Sequence, residues 1–252
     1  MEKMDIEKVK EYISEMYSLK PLYSNYFNQT LTLDDYFCKT THTLLIAKPF
    51  TGYNRIYVLS DDLEDAAKEL NALKGTNVVN VPTKGDITHW EQLMQKAGFK
   101  LIGVYERFYN TKILPKEEIG TIVYAEQAQE DEIYHLLYDS DFFSIYMDYL
   151  PSHEELKLSI EQGNVIINIT DLQIEGVLIF SIKNQKLYSQ IWIDNSNKGL
   201  KLLFDLFNIM VSRNVNYMYF WVNSENKKVK SIHKFMGAKL DGLKDYTFIK
   251  NN

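Results

Sequence analysis

Apolar residues recur at two spacings along this chain, and the switches between them outline its elements. Residues Asp5 to Tyr17 carry Ile6, Val9, Ile13 and Met16 on one face of a predicted helix. Extended segments follow at Thr41–Lys48 and Arg55–Leu59, joined through Pro49 and Gly52 as a hairpin. Ser60, Asp61 and Asp62 supply N-cap chemistry for a helix through Leu73 that stops at Gly75. A short strand at Val78–Val81, a helix at Thr88–Lys96 ending on Gly98, and an extended stretch Lys100–Tyr109 complete the first half. In the second half, Thr121–Ala125 reads as a strand and Glu130–Tyr138 as a helix. Ser152 and Glu155 form a capping box for a helix through Glu161. Strands at Val165–Ile169, Gly176–Ile182 and Lys186–Ile193, a helix Gly199–Ser212, a strand Tyr217–Val222 and a helix Glu225–Met236 follow. A strand or hairpin at Lys239–Lys250 closes the chain.

The two halves share this order of elements. Gly98 and Gly103 recur as Gly237 and Gly242 at one constant offset, within Ala97–Val104 and Met236–Leu243, which suggests two copies of one unit. The charged connector from Lys112 to Gly120, with Pro115, divides them into expected domains at 1–112 and 120–252.

A chain of 252 residues with 45% hydrophobic and 25% charged residues has the composition of a soluble globular protein. Its net charge of −6 argues against a general nucleic-acid or anionic-membrane binder, because both need clustered positive charge. The single cysteine, Cys38, excludes an internal disulfide framework and fits a reducing compartment. The amino terminus lacks the apolar core of a signal peptide and the longest apolar run, Tyr217–Val222, is too short to span a bilayer. A cytoplasmic location is the expectation. His42, His89, His135 and His153 lack metal-ligand spacing, so no metal is expected. Cys38 reads as a small buried hydrophobe.

The segment Ile191–Leu203 runs from a largely apolar strand, through a polar turn with one glycine, into a helix. That order aims free backbone N–H groups and the positive end of a helix dipole at one point, which suits a phosphate. The matching turn of the first half, Ser60–Ala66, has four carboxylates and no glycine. Those carboxylates stabilise the helix but repel a phosphate, so only the second copy is expected to bind one.

The order of elements in residues 121–250 resembles the GNAT N-acetyltransferase superfamily. The resemblance is carried by Asn223–Asn226 opening a helix that ends Ile232–Ala238, and by the closing segment Asp245–Lys250. It covers the C-terminal half well, and the N-terminal half only through the internal repeat. It implies an α/β fold of the α+β type with a mixed sheet: two GNAT-like lobes, each a mostly antiparallel sheet flanked by helices, the first lobe degenerate.

The resemblance also implies a cosubstrate, acetyl-CoA. Its pantetheine arm would pair with Ile193 and Asp194, and its pyrophosphate would lie at Asn197, Lys198, Gly199, Leu200 and Lys201. Ser196 stands where the family has Arg or Gln, and Lys201 where it prefers a second glycine. His233 falls where the family often has a tyrosine that protonates the departing thiolate, and an imidazole titrates in the right range. Asn226 would orient the cofactor or cap its helix. Tyr188 and Gln190 face the acceptor side, with a water relay in place of an obvious base. The aromatic-rich runs Tyr17–Tyr36 and Tyr134–Tyr149 are candidates for acceptor walls or core.

The functional expectation is an acyl-CoA-dependent N-acyltransferase acting on a small amine by direct attack on the thioester. Its rivals are a GNAT-like binding module without catalysis and, less favoured, transfer to an aminoacyl or peptidyl acceptor. Acceptor identity and oligomeric state stay open.

Overall fold

The structure is a computed structural model, and it describes residues 1–27, 29–112, 121–195 and 200–251. The connector residues 113–120 and the turn residues 196–199 therefore lie outside the described residues. The chain divides into two compact units. One comprises Met1–Tyr105 with Leu243–Asn252, and the other Glu106–Gly242. The divisions fall inside two strands, a different partition from a cut at residues 112–120. The final segment counts with the first unit because Lys244–Lys250 pair antiparallel with Asn77–Thr83.

The first unit contains β1 (Glu2–Lys3), α1 (Ile6–Ser18), β2 (Tyr23–Ser24), β3 (Tyr36–Lys39), β4 (Thr43–Phe50) and β5 (Tyr53–Ser60). After these come α2 (Leu63–Asn71), β6 (Asn77–Thr83), α3 (Thr88–Lys96) and the start of β7 (Lys100–Asn110). Its sheet runs β1-β3-β4-β5-β6-β12, where β12 is Lys239–Lys250, and β2 pairs with β5 off that path. All pairings with a printed register are antiparallel except β5–β6. The β4–β5 hairpin turns at Gly52, whose φ of +85° favours a residue without Cβ. Leu45, Val58, Leu70, Val79, Leu93 and Phe248 form the core under α2 and α3, while Val9, Met16, Leu44, Ile46 and Leu59 form the core under α1. Lys250 caps the C-terminal end of α2, its ammonium donating to the Asn71 carbonyl at 2.6 Å, where the helix dipole favours a cation.

The second unit contains the end of β7, then α4 (Glu130–Tyr138), α5 (His153–Glu161), β8 (Val165–Thr170), β9 (Gln173–Lys183) and β10 (Lys186–Asp194). It continues with α6 (Lys201–Ser212), β11 (Tyr217–Asn223), α7 (Lys227–Phe235) and the start of β12. Its sheet order is β7-β11-β10-β9-β8. Pairing is antiparallel in the β8–β9–β10 meander and parallel between β10 and β11. One face packs on α6 and α7 through Phe108, Leu178, Phe180, Leu206, Met210 and Phe220. The other packs on α4 and α5 through Ile133, Leu156, Val165, Val177, Ile191 and Ile193. Both units are thus open mixed sheets, mostly antiparallel and flanked by helices, as expected from the sequence.

One expectation changes. Thr121–Ala125 forms no strand but an isolated antiparallel bridge from Tyr124 to Ile166, with Ala125 N–H donating to the Val165 carbonyl and Ile167 N–H to the Val123 carbonyl, each at 3.0 Å. The capping box at Ser152–Glu155 is present, with α5 bounded as expected.

Candidate active site: the gap between β10 and β11

The parallel pair β10–β11 is short. Lys186–Ser189 pair with Tyr217–Phe220, and among the described residues the pairing stops there although both strands continue. The cause lies in β10. Ser189 is opposite Phe180 and Ile191 is opposite Ile179, so Gln190 is an extra residue, a β-bulge. A bulge bends its strand and increases its twist, which carries Ile191–Asp194 away from Trp221–Asn223. Parallel strands that part in this way can present backbone N–H and C=O groups along their facing edges, as sheet edges do.

The site residues expected from sequence surround this gap to different degrees. The Ile193 side chain is in the core under α4 and α5, so only its backbone is available to a ligand. The Asp194 carboxylate accepts from Asn168 Nδ2 at 2.7 Å and packs against Gly176. A Cβ on Gly176 would lie 3.0 Å from Asp194 Cγ and 3.1 Å from Leu202 Cδ1, so glycine makes room for both. Leu200 occupies the N-cap of α6 and packs against the adjoining core, but gives no side-chain hydrogen bond to the first turn. Lys198 and Gly199 lie outside the described residues.

Lys201 is drawn into the fold. Its ammonium donates to the buried carboxylate of Asp205 at 2.5 Å and to the Thr121 carbonyl at 3.2 Å. Much of its charge thus compensates a carboxylate one turn along α6. Asn226 caps α7, its side-chain oxygen accepting from Val229 N–H at 3.0 Å. That bond alone accounts for asparagine at this position.

His233 lies on α7, 6% exposed, its ring 3.9 Å from that of Phe220 and 5.6 Å from the Trp192 ring. Burial pushes its pKa from 6.5 down to about 4, because the apolar surroundings disfavour the cation. The ring is therefore neutral at physiological pH. Beside it, the buried indole N–H of Trp192 has no hydrogen-bond partner among the described residues.

On the opposite face of β7, β10 and β11, Tyr188, expected on the acceptor side, is joined by Arg107, Tyr109, Tyr217, Tyr219 and Trp221, which sequence reasoning missed. Tyr188 stacks on Tyr219 at 4.9 Å and Tyr109 on Tyr217 at 5.9 Å. Arg107 lies over the rings of Tyr219 and Trp221 and forms an ion pair with Asp241 at 2.5 Å. Strict alternation in β11, with Met218, Phe220 and Val222 inside and Tyr217, Tyr219 and Trp221 half-buried, was the available signal. Gln190 is exposed at the bulge. Tyr134, Tyr138 and Phe143 pack against the core of α4 and α5, whereas Phe142 is 73% exposed.

The remaining candidates have local roles. Cys38 is half-buried with Sγ 3.4 Å from Glu69, and burial pushes its thiol pKa up, away from a reactive thiolate. Among the described residues, Glu130, Asp131 and His153 place potential metal-ligand atoms within 4.8 Å. His153 Nδ1 is already 2.5 Å from Glu130 and its ring stacks on Tyr134. His42 and His135 each contact a neighbouring aspartate, Asp61 and Asp139. Among the described residues, no helix is long and apolar enough to cross a membrane.

In the first unit, the acidic turn is closed. Asp62 caps α2 and accepts from the N–H groups of Glu64 at 2.8 Å and Asp65 at 3.2 Å. Two of the first-turn donors that a phosphate would need are thus taken.

No family model and no curated protein matches the sequence. Solved structures do match in fold. A GCN5-related N-acetyltransferase from Sphaerobacter thermophilus superposes with a TM-score of 0.58 at 12% identity, covering 88% of this chain and 82% of that one. A GCN5-related N-acetyltransferase from Kribbella flavida gives 0.55 at 9% identity, covering 86% and 90%. A tandem GNAT protein from the clavulanic acid biosynthesis pathway gives 0.54 at 10% identity, covering 86% and 82%. With its bulged, parting parallel strands and with α6 and α7 packed on one face of the sheet, this chain has the fold of the GNAT N-acetyltransferases.

Proposed function

We propose that the protein is an acyl-CoA-dependent N-acyltransferase, with acetyl-CoA as donor, in which a degenerate first GNAT-like copy is followed by a binding copy. The observation that supports this reading most is the parting of β10 and β11 beyond the Ser189–Phe220 pair. It leaves an amide-lined slot of the kind that an extended pantetheine arm can enter as an added strand. In this reading the backbone of Ile193 and Asp194 pairs with the arm. The N–H groups of Leu200 and Lys201, with Lys198 and Gly199, hold the pyrophosphate at the start of α6.

The reaction joins the amine nitrogen to the thioester carbonyl carbon and breaks the C–S bond. The amine proton leaves to solvent through a water relay, and the thiolate is protonated in turn. His233 is a poor acid for that step. With a pKa of about 4, only about one molecule in a thousand carries the imidazolium at pH 7. Its role in this proposal is instead to stabilise the departing thiolate by donating a hydrogen bond from the neutral ring. The half-buried aromatic face of Tyr188, Tyr219 and Trp221 offers a wall for a small amine acceptor.

Titration calorimetry with acetyl-CoA tests the donor assignment. Saturable heat is expected, and none at high micromolar ligand would sink the proposal. The inward turn of Lys201 onto Asp205 favours a second reading, a GNAT-like binding module without catalysis. Free-thiol release across an amine panel separates the two, because the module binds acetyl-CoA or CoA and releases no thiol.

A further inference from the structure

The first unit contains a second pair of parting parallel strands, and its gap is filled. Among the described residues, strand β5 pairs with β6 only at Asn54–Asn77 and Arg55–Val78. Beyond that point the chain's own residues Tyr23–Tyr26 enter between them. Tyr23 and Ser24 pair antiparallel with Ser60 and Leu59, on the edge of β5 that β4 does not use. Asn25, 3% exposed, then spans the gap. Its main-chain N–H donates to the Val58 carbonyl at 3.2 Å, and its side-chain oxygen accepts from Val58 N–H at 2.6 Å. Its side-chain NH₂ donates to the Ile56 carbonyl on β5 at 3.2 Å and to the Asn80 carbonyl on β6 at 2.8 Å.

The residue type follows from this arrangement. Two parted strands leave buried N–H and C=O groups that each cost about 1–3 kcal/mol if unmet. Satisfying one N–H and two carbonyls from one short side chain requires an acceptor and two donors on one planar group, which is a primary amide. Aspartate would set an oxygen against the Ile56 or Asn80 carbonyl. The strap is anchored on both sides. The Tyr17 hydroxyl donates to the Tyr26 carbonyl at 3.1 Å, the Tyr26 hydroxyl donates to the Gln29 carbonyl at 3.0 Å, and the Tyr23 ring meets His89 edge-on at 5.7 Å.

We infer that Tyr23–Tyr26 is a ligand held in cis: the first unit keeps an amide-reading cleft and fills it with Asn25. Its phosphate end is closed separately by Asp62. Among the described residues, the chain consequently presents one open cleft, and it takes up one equivalent of acyl-CoA, a consequence that rests on the function proposed above.

Three measurements test this. In the wild-type protein, hydrogen exchange at the Val58 amide, whose bond is to Asn25, is expected to be as slow as in the core of β5. Exchange at the rate of an exposed amide would overturn the strap. In Asn25→Ala, which leaves an amide-sized gap, acetamide at molar concentration is expected to raise the melting temperature by about 2–4 °C relative to its effect on wild type. Asn25→Asp, which keeps the gap filled, is expected to be destabilised without that rescue. Equal acetamide responses in wild type and Asn25→Ala would reject the amide-reading cleft. Acetyl-CoA titration should give one site per chain, and two sites would contradict closure. Absence of any acetyl-CoA binding would remove the proposed function and leave the strap to be judged on exchange and rescue.

Discussion

His233 and Asp245 are buried titratable groups that pull stability in opposite directions. His233 is held neutral, its pKa lowered to about 4 by burial. Between pH 6.5 and 4 the unfolded chain therefore binds a proton that the folded chain refuses, and acid costs the fold about 3 kcal/mol. Burial raises the Asp245 carboxyl from 3.8 to about 6, against the opposing pull of Arg55 and the Asn80 amide. Here the folded state binds the extra proton, so lowering pH from 6 to 3.8 adds about 3 kcal/mol. The contributions nearly cancel over the shared window. Denaturation of His233→Gln is expected to show stability rising as pH falls from 6 to 4, and Asp245→Asn the reverse. Matching slopes in the two variants would refute the assignment. Gly176 is a second residue-scale test. Gly176→Ala forces Asp194 and Leu202 to move by tenths of an ångström and should cost about 1–2 kcal/mol in chemical denaturation. In the proposed function it should also weaken acetyl-CoA binding, through Asp194.

The paired strand–turn–helix elements show how similar local plans diverge. Both β5 and β10 follow a hairpin and lead into a helix, and both lose their parallel neighbour partway. The difference lies in the helix entries. At α2 the Asp62 side chain takes the first-turn amides, and Asp62→Ala is expected to cost about 1 kcal/mol by thermal or urea melting. At α6 Leu200 takes none. Most of these elements were legible from the chain: α4 and α5 begin and end where hydrophobic period and capping chemistry place them. The short strands β1, β2 and β3 were not, because two to four residues carry no readable period and depend on a partner strand. The bulge at Gln190 was equally hidden, since one extra residue in a strand leaves the apolar pattern almost unchanged.

At the scale of the whole molecule, two similar units have different fates, one with its cleft filled from within and one with its cleft open among the described residues. Apolar periodicity and turn residues determined the α/β class and most of the longer elements, because these depend on neighbours within a turn or a strand. The acidic helix entry at Asp62 was legible for the same reason. Tertiary structure alone decided that Asn25 lies between β5 and β6 and that His233 is neutral among aromatic rings. It also decided that Leu243–Asn252 belong with the first unit. Each of these depends on which distant segment supplies a hydrogen-bond partner or excludes water, and spacing along the chain does not encode that.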